Sequence, residues 1–378
     1  MNRTCKHLLR ISLMSLAVPV HAATLLVGSY TDGASHGIYR YHFDASTGQI
    51  ESSPLQVVHA ANPSWLALSP DQRVLYAVNE DRKGTVSSFA VEADGALTAQ
   101  GKVSSQGGEP THASLSHDQR YLFVANYGAE KPGGSLVALP VSRSGTLQAP
   151  TQQVRHAPSQ VDAERQGEAH MHSMVVAPDG QHVYATDLGA DRVFIYRYDG
   201  ASAERPLKPA STAELVLPPG SGPRHLEFDS RGRFAYLTLE MSAQVAVLSV
   251  QQDGRLALVQ QLPLTERHDA AFKSASGLHL SADGRFLYVS NRGKANEIVV
   301  YRVDPDDGRL TLVQRRASEG DHPREFALDP DGHFLLVANQ HSDEIVVLRR
   351  DPREGTLGEV VQRLPQPAPS ALVFAKSP

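Results

Sequence analysis

A 17-residue unit recurs six times in this chain, at 64–80, 111–127, 172–188, 224–240, 276–292 and 324–340. Each copy holds a short apolar run, a turn of the Asp-Gly or Asp-Gln kind, and a second apolar run rich in Tyr, Phe and Val. SWLALSPDQRVLYAVNE, SGLHLSADGRFLYVSNR and REFALDPDGHFLLVANQ are three of them. Two such runs around a tight turn predict a β-hairpin. A third apolar run follows in most copies (193–198, 245–250, 298–303 and 345–348), then a turn containing Asp-Gly and a weaker fourth run, as over 304–313. Successive units start 47, 61, 52, 52 and 48 residues apart. Four short antiparallel strands per period of about 45 residues is the pattern of a β-propeller, and helical repeats lack it. No stretch reads as a convincing amphipathic helix, which argues against doubly wound and TIM-barrel folds.

Six copies do not close a ring. The termini supply the seventh: Ser370-Ala371-Leu372-Val373-Phe374 matches the first strand of the unit, and Thr24-Leu25-Leu26-Val27-Gly28-Ser29-Tyr30 matches the second. The expected fold is all-β, a seven-bladed β-propeller closed by pairing of its N- and C-terminal strands. Such pairing covers two sheet edges that would otherwise invite aggregation.

Residues 1–22 read as an export leader rather than as part of the fold. Arg3, Lys6 and Arg10 precede a short apolar run, and Val20-His21-Ala22 puts small residues where a signal peptidase cuts. The run is too short to span a bilayer as a helix. Residues 23–378 then form one propeller domain. The single cysteine, Cys5, falls in the leader, so the mature chain has no disulfide, thiol nucleophile or thiolate ligand. An exported chain without disulfides fits a bacterial periplasm, reached through a Sec-type signal. The chain has 36 Lys and Arg against 41 Asp and Glu. Three of the cations lie in the leader, so the mature net charge of −8 argues against nucleic acid or an anionic membrane as partner.

The repeat itself points to a site. In an antiparallel hairpin the first residue of one strand and the last of the next lie together, at the end opposite the turn. The innermost strands of a propeller line its channel, so these positions ring one mouth. The first column reads Ser64, Thr111, His172, Arg224, Ser276, Arg324 and Ser370; the last reads Glu80, Tyr127, Leu188, Glu240, Arg292, Gln340 and Tyr30. Between the columns the repeat is monotonously apolar. At the columns it becomes charged and differs from blade to blade. Three arginines, two glutamates and a histidine facing one enclosed space indicate a ligand site. Arg224, Arg292 and Arg324 suit bidentate binding of a carboxylate or phosphate. His172 is the natural general base or acid. Glu240 is a candidate to orient His172, to hold Arg224 or to act as the acid, and the sequence does not separate these roles. Arg324, Gln340, Tyr127, Glu80 and Tyr30 are the expected substrate-binding residues.

His170-Met171-His172, Pro223-Arg224-His225, Leu239-Glu240, Ser290-Asn291-Arg292 and His322-Pro323-Arg324 stand one per blade, in an order that resembles the lactonase family of seven-bladed propellers. That family includes bacterial 6-phosphogluconolactonase and fungal carboxymuconate-lactonising enzyme. The resemblance covers nearly the whole mature chain. It implies hydrolysis of a sugar lactone without a cofactor, with the family's catalytic His, Arg, Glu and Arg falling on His172, Arg224, Glu240 and Arg292. The implied substrate is a small anionic or sugar lactone. A muconate-type cycloisomerase and a non-enzymatic binding propeller are the alternative readings.

Other features have structural explanations. His170 and His172 face the same way on a strand, like half a metal site, but no partner cluster stands at ligand spacing. His112 and His225 share a register one step inside the mouth and read as interior histidines. Asn79, Asn126, Asn291 and Asn339 recur at one repeat position, which predicts a structural hydrogen bond. Residues 158–168 form a polar insertion before His170, a lid or simply a long connection. The sequence has no phosphate loop.

Overall fold

In the computed structural model, which describes residues 22–375, each repeat hairpin forms the two innermost strands of a blade. The inner strands are Pro63–Leu68, Pro110–Leu115, Met171–Val176, Pro223–Phe228, Ala275–Leu280, Pro323–Leu328 and Pro369–Ala375. Their partners are Val74–Asn79, Tyr121–Asn126, His182–Asp187, Phe234–Leu239, Phe286–Asn291, Phe334–Asn339 and Ala22–Ser29. Six sheets have four strands. The seventh joins Pro369–Ala375 to Ala22–Ser29 and continues through Gly37–Asp44. Thr24 pairs with Ala375 and Ser29 with Pro369, so the ring closes between the two ends of the chain as the sequence predicts. The leader assigned to residues 1–22 lies outside the described residues except for Ala22, the first residue of its strand.

Five of the seven second strands are buried along their whole length, Val74–Asn79 and Phe286–Asn291 among them. Neighbouring blades cover both of their faces, so these strands read as continuous apolar runs rather than as alternating ones. The core is split accordingly into packets between blades: Phe123, Ala125, Met171, Met174 and Ala185 fill one, and Phe286, Tyr288, Phe326, Leu335 and Val337 another. Among the described residues the only helical segments are two short 3-10 turns, Ala270–Phe272 and Gln340–Ser342. No helix there is long and apolar enough to cross a membrane.

One detail of the register departs from the simple hairpin expected. Pro63 pairs with Asn79 and Trp65 with Val78, which leaves Ser64 as an extra residue in a bulge. Thr111, His172, Arg324 and Ser370 occupy the same place, and Arg224 and Ser276 fall inside slightly wider irregularities. A bulge re-aims the side chain it carries, and here it does so at the same level in every blade. The ladder resumes beyond it. The N–H of each last-column residue (Glu80, Tyr127, Leu188, Glu240, Arg292, Gln340, Tyr30) donates to the carbonyl two residues before the first-column residue, at 2.7 to 3.0 Å. The recurrent asparagines are structural, as expected: the amides of Asn79, Asn126, Asn291 and Asn339 donate to the carbonyls of Ala61, Ser105, Phe272 and Ser318 in the incoming connections.

Candidate active site

Glu240 stands at the centre of the polar mouth. Its Oε2 lies 2.8 Å from Nη2 of Arg292, 3.1 Å from Nε of Arg224 and 3.9 Å from Nε2 of His172. All four residues are buried, with Arg224 only 2% exposed. The four positions singled out as catalytic therefore converge, although they come from three different blades. Arg292 is further held by the carbonyls of Ser274 and Ala275 and lies 3.4 Å from Nε2 of His322.

Burial and counter-charge set the protonation states. Burial alone pushes the Glu240 carboxyl up, but Arg292 and Arg224 together outweigh it and hold the group below the ordinary carboxylate range. Burial, and then the neighbouring Arg224, keeps the His172 imidazole well below the usual histidine value. Burial and the repulsion of Arg292 bring Arg224 down to about 9. At neutral pH the cluster is thus an ionised carboxylate, two guanidinium ions and a neutral imidazole. Nδ1 of His172 is buried and has no protein hydrogen-bond partner.

A second cluster faces it. Nη2 of Arg324 is 3.1 Å from Oε2 of Glu80, which also accepts a 2.7 Å hydrogen bond from the Tyr30 hydroxyl. The Arg324 guanidinium lies over the Tyr30 ring at 5.1 Å. Burial first, and the Glu80 carboxylate beside it, push the Tyr30 phenol up, so it remains a donor. Tyr127 stands edge-on to His172 at 5.7 Å and stacks on His170 at 4.4 Å. The predicted binding residues Arg324, Glu80, Tyr30 and Tyr127 thus join the mouth. Gln340 is the exception: its Oε1 is buried without a hydrogen-bond partner, and its side chain bonds to none of the other eight predicted residues.

One residue of the site escaped the sequence reading. Arg165, in the 158–168 insertion, reaches 2.7 Å from Oε1 of Glu240 and 3.5 Å from the Tyr127 hydroxyl. The only signal for it was the unusual length of that connection. With Arg165 included, four guanidinium groups face two carboxylates, and the mouth is net positive. A further group lies deeper. Trp65, His112 and His225 pack ring to ring, with centroids 4.3 to 5.6 Å apart, one step in from the mouth. Both histidines are buried, as expected, and burial pulls His112 down to about 3. Beyond them a cavity of about 520 Å³ opens toward the turn end, lined by Glu227 and His279. His279 is clasped between Glu325 at 3.0 Å and Glu227 at 3.3 Å. Among the described residues no group of three or more His, Cys, Asp or Glu is arranged to hold a metal ion.

The sequence model described as lactonase, 7-bladed beta-propeller, matches residues 24–374. The chain belongs to the lactonase family of seven-bladed β-propellers. Within this family, a 6-phosphogluconolactonase of Bacillus subtilis is 30% identical over 352 residues, 92% of this chain and 97% of that protein. One from Formosa agariphila is 31% identical over 348 residues, 90% of this chain and 95% of its own. A solved structure titled a periplasmic gluconolactonase of Pseudomonas aeruginosa superimposes with a TM-score of 0.92 at 47% identity, covering 94% of this chain and all of that one. The lactonase-family match spans all seven blades, including the one shared between the termini.

Proposed function

We propose that this chain hydrolyses a sugar lactone to the aldonate at the polar mouth of its channel, with His172 as general base and Arg224, Arg292 and Glu240 as the groups that hold and polarise the substrate. The observation that carries the reading is the single oxygen Oε2 of Glu240, which meets Arg292 at 2.8 Å, Arg224 at 3.1 Å and His172 at 3.9 Å. One carboxylate thus fixes two cations and a neutral imidazole around one small space. The names of the relatives support the same chemistry, since lactonases acting on phosphorylated and on unphosphorylated gluconolactone both stand among them.

In this scheme water attacks the lactone carbonyl carbon while His172 takes its proton. An imidazole kept neutral by its surroundings is in the form a base requires. The carbonyl electron pair moves to oxygen, and a guanidinium, from Arg292 or Arg224, stabilises the oxyanion. Collapse breaks the ring C–O bond, and the leaving alkoxide takes the proton back from His172. The acid product ionises to the aldonate and releases one proton to solvent. Glu240 favours the transient imidazolium and keeps both arginines in position. Arg324, Glu80, Tyr30 and Tyr127 form the walls of the substrate site.

A periplasmic setting belongs to the same proposal. It rests on the leader-like residues 1–22 and on the Pseudomonas relative being titled periplasmic. The test of the activity is pH-stat titration against a panel of lactones with and without phosphate and carboxylate groups. Acid release by the wild type, abolished in a folded His172→Ala variant, is the expected result. An unchanged rate in that variant overturns the scheme.

A further inference from the structure

Residues 155–169, between the strands Gln152–Val154 and Met171–Val176, belong to no blade, yet they are well anchored. Asp162 accepts from the backbone N–H groups of Glu164 and Arg165, both at 2.9 Å, and the Gln166 N–H donates to the Asp162 carbonyl at 2.7 Å. Gln166 is fully buried and its amide donates to the Leu188 carbonyl at 2.9 Å. Ser159 is tied to the Gly189 carbonyl at 2.8 Å. A turn fastened at both ends in this way is a mount, and what it presents over the mouth is Arg165.

The four guanidinium groups of the mouth are not equivalent. The side chains of Arg224, Arg292 and Arg324 are 2%, 7% and 15% exposed, whereas that of Arg165 is 40% exposed. The first three are fixed by carboxylates, carbonyls or a tyrosine ring. Arg165 touches the cluster through one nitrogen, at Glu240 and Tyr127, and shows the rest of its fork to solvent. Glu240 is buried, but Arg165 is half-exposed, and solvent on its side screens the pair and lets it exchange. Glu240 would still keep Arg224 and Arg292 if it were lost. A planar fork free on one side matches the geometry of a phosphate or carboxylate.

We infer that Arg165 is the specificity residue of this site: its guanidinium exchanges Glu240 for an anionic substituent, phosphate ester or carboxylate, carried on the part of the substrate remote from the lactone carbonyl. The inference rests on the lactonase reading and adds to it a specificity residue supplied from outside the repeat.

Three lactones differing at one carbon test it: gluconolactone, its 6-phosphate, and a glucarolactone with a carboxylate there. Wild type, Arg165→Ala and Arg165→Lys are compared. Loss of a charge-assisted bidentate contact is expected to raise KM for at least one charged lactone about tenfold or more in the alanine variant. The ratio of kcat/KM for that charged lactone to kcat/KM for the neutral one should fall by about the same factor, through KM rather than kcat, and lysine should restore part of the loss. The arm that responds names phosphate or carboxylate as the recognised group. Equal changes for all three lactones, or a fall in kcat with KM unchanged, overturn the inference and leave Arg165 as a support for Glu240. Calorimetric binding of the products gluconate, 6-phosphogluconate and glucarate separates it from the activity itself. If wild type hydrolyses no lactone but binds 6-phosphogluconate or glucarate more tightly than gluconate through Arg165, the lactonase reading fails and this inference stands. If wild type is active and the alanine variant binds all three products as it does, the reverse holds.

Discussion

Arg292 holds Nη2 2.8 Å from Oε2 of Glu240, and neither residue has more than a tenth of its side chain exposed. The pair joins two adjacent blades, those of Phe234–Leu239 and Phe286–Asn291, at the channel mouth. A buried ion pair has a large desolvation cost, and its removal from one side leaves an uncompensated charge. Glu240→Ala leaves both Arg292 and Arg224 in that condition. The expected loss is about 3–5 kcal/mol of folding stability, in addition to loss of activity. Urea denaturation of the variant measures it; a change below about 1 kcal/mol would mean that the arginines find other partners.

The protonation states predict the pH profile. Because His172 titrates well below its ordinary value, it remains a base as the pH falls through 6.5. The acid limb of kcat/KM is therefore expected below pH 6. Arg224 is brought down to about 9, so activity should decline as the pH rises through that value and one cation of the site is lost. Rates corrected for spontaneous lactone hydrolysis give both limbs. An acid limb near 6.5 would count against His172 as the base.

His172→Gln, which keeps a polar side chain of similar size, should lower kcat by about two to four orders of magnitude, the range for loss of a general base. Its melting temperature should stay close to that of the wild type. Stopped-flow measurement with a pH indicator resolves the residual rate.

His279 acts on stability rather than on chemistry. Burial opposes its charge, but Glu325 and Glu227 outweigh burial and raise it to about 10. A raised value means that the folded state holds the proton more tightly. The resulting stabilisation is complete below pH 6.5 and is lost progressively up to about pH 10. The stability gap between wild type and His279→Gln should therefore be widest near pH 6 and close toward pH 10. Gly277→Ala should mimic it, because a Cβ there would lie 2.3 Å from Oε1 of Glu325. Denaturant midpoints at three pH values decide the matter, and a gap that is independent of pH would refute it.

The closure of the ring is also open to test. A Cβ on Gly28 would lie 2.1 Å from the carbonyl oxygen of Pro63, a backbone atom of the next blade. Gly28→Ala is expected to destabilise by about 1–3 kcal/mol, as overpacking does. The melting temperature reports it, and an unchanged value would show that the closing blade and its neighbour can move apart without cost.

The sequence by itself determined the fold, the blade count, the terminal closure and the level of the site. These follow from local patterns repeated in chain order: a hairpin that recurs, a turn at one end and a polar column at the other. His172, Arg224, Glu240 and Arg292 were legible because they break a repeat that is otherwise apolar. The tertiary structure decided which charge meets which. Glu80 pairs with Arg324 across a separation of 244 residues, and no period along the chain reports that distance. The bulge that turns His172 and Arg324 toward the channel depends on ladder geometry, which alternation of side chains does not encode. Arg165 entered the mouth from an insertion outside the repeat, while the side chain of Gln340, in the right column, bonded to none of the other predicted residues. A repeat fixes where side chains begin. Electrostatic pairing across a channel depends on where they end, and only the closed ring brings those ends together.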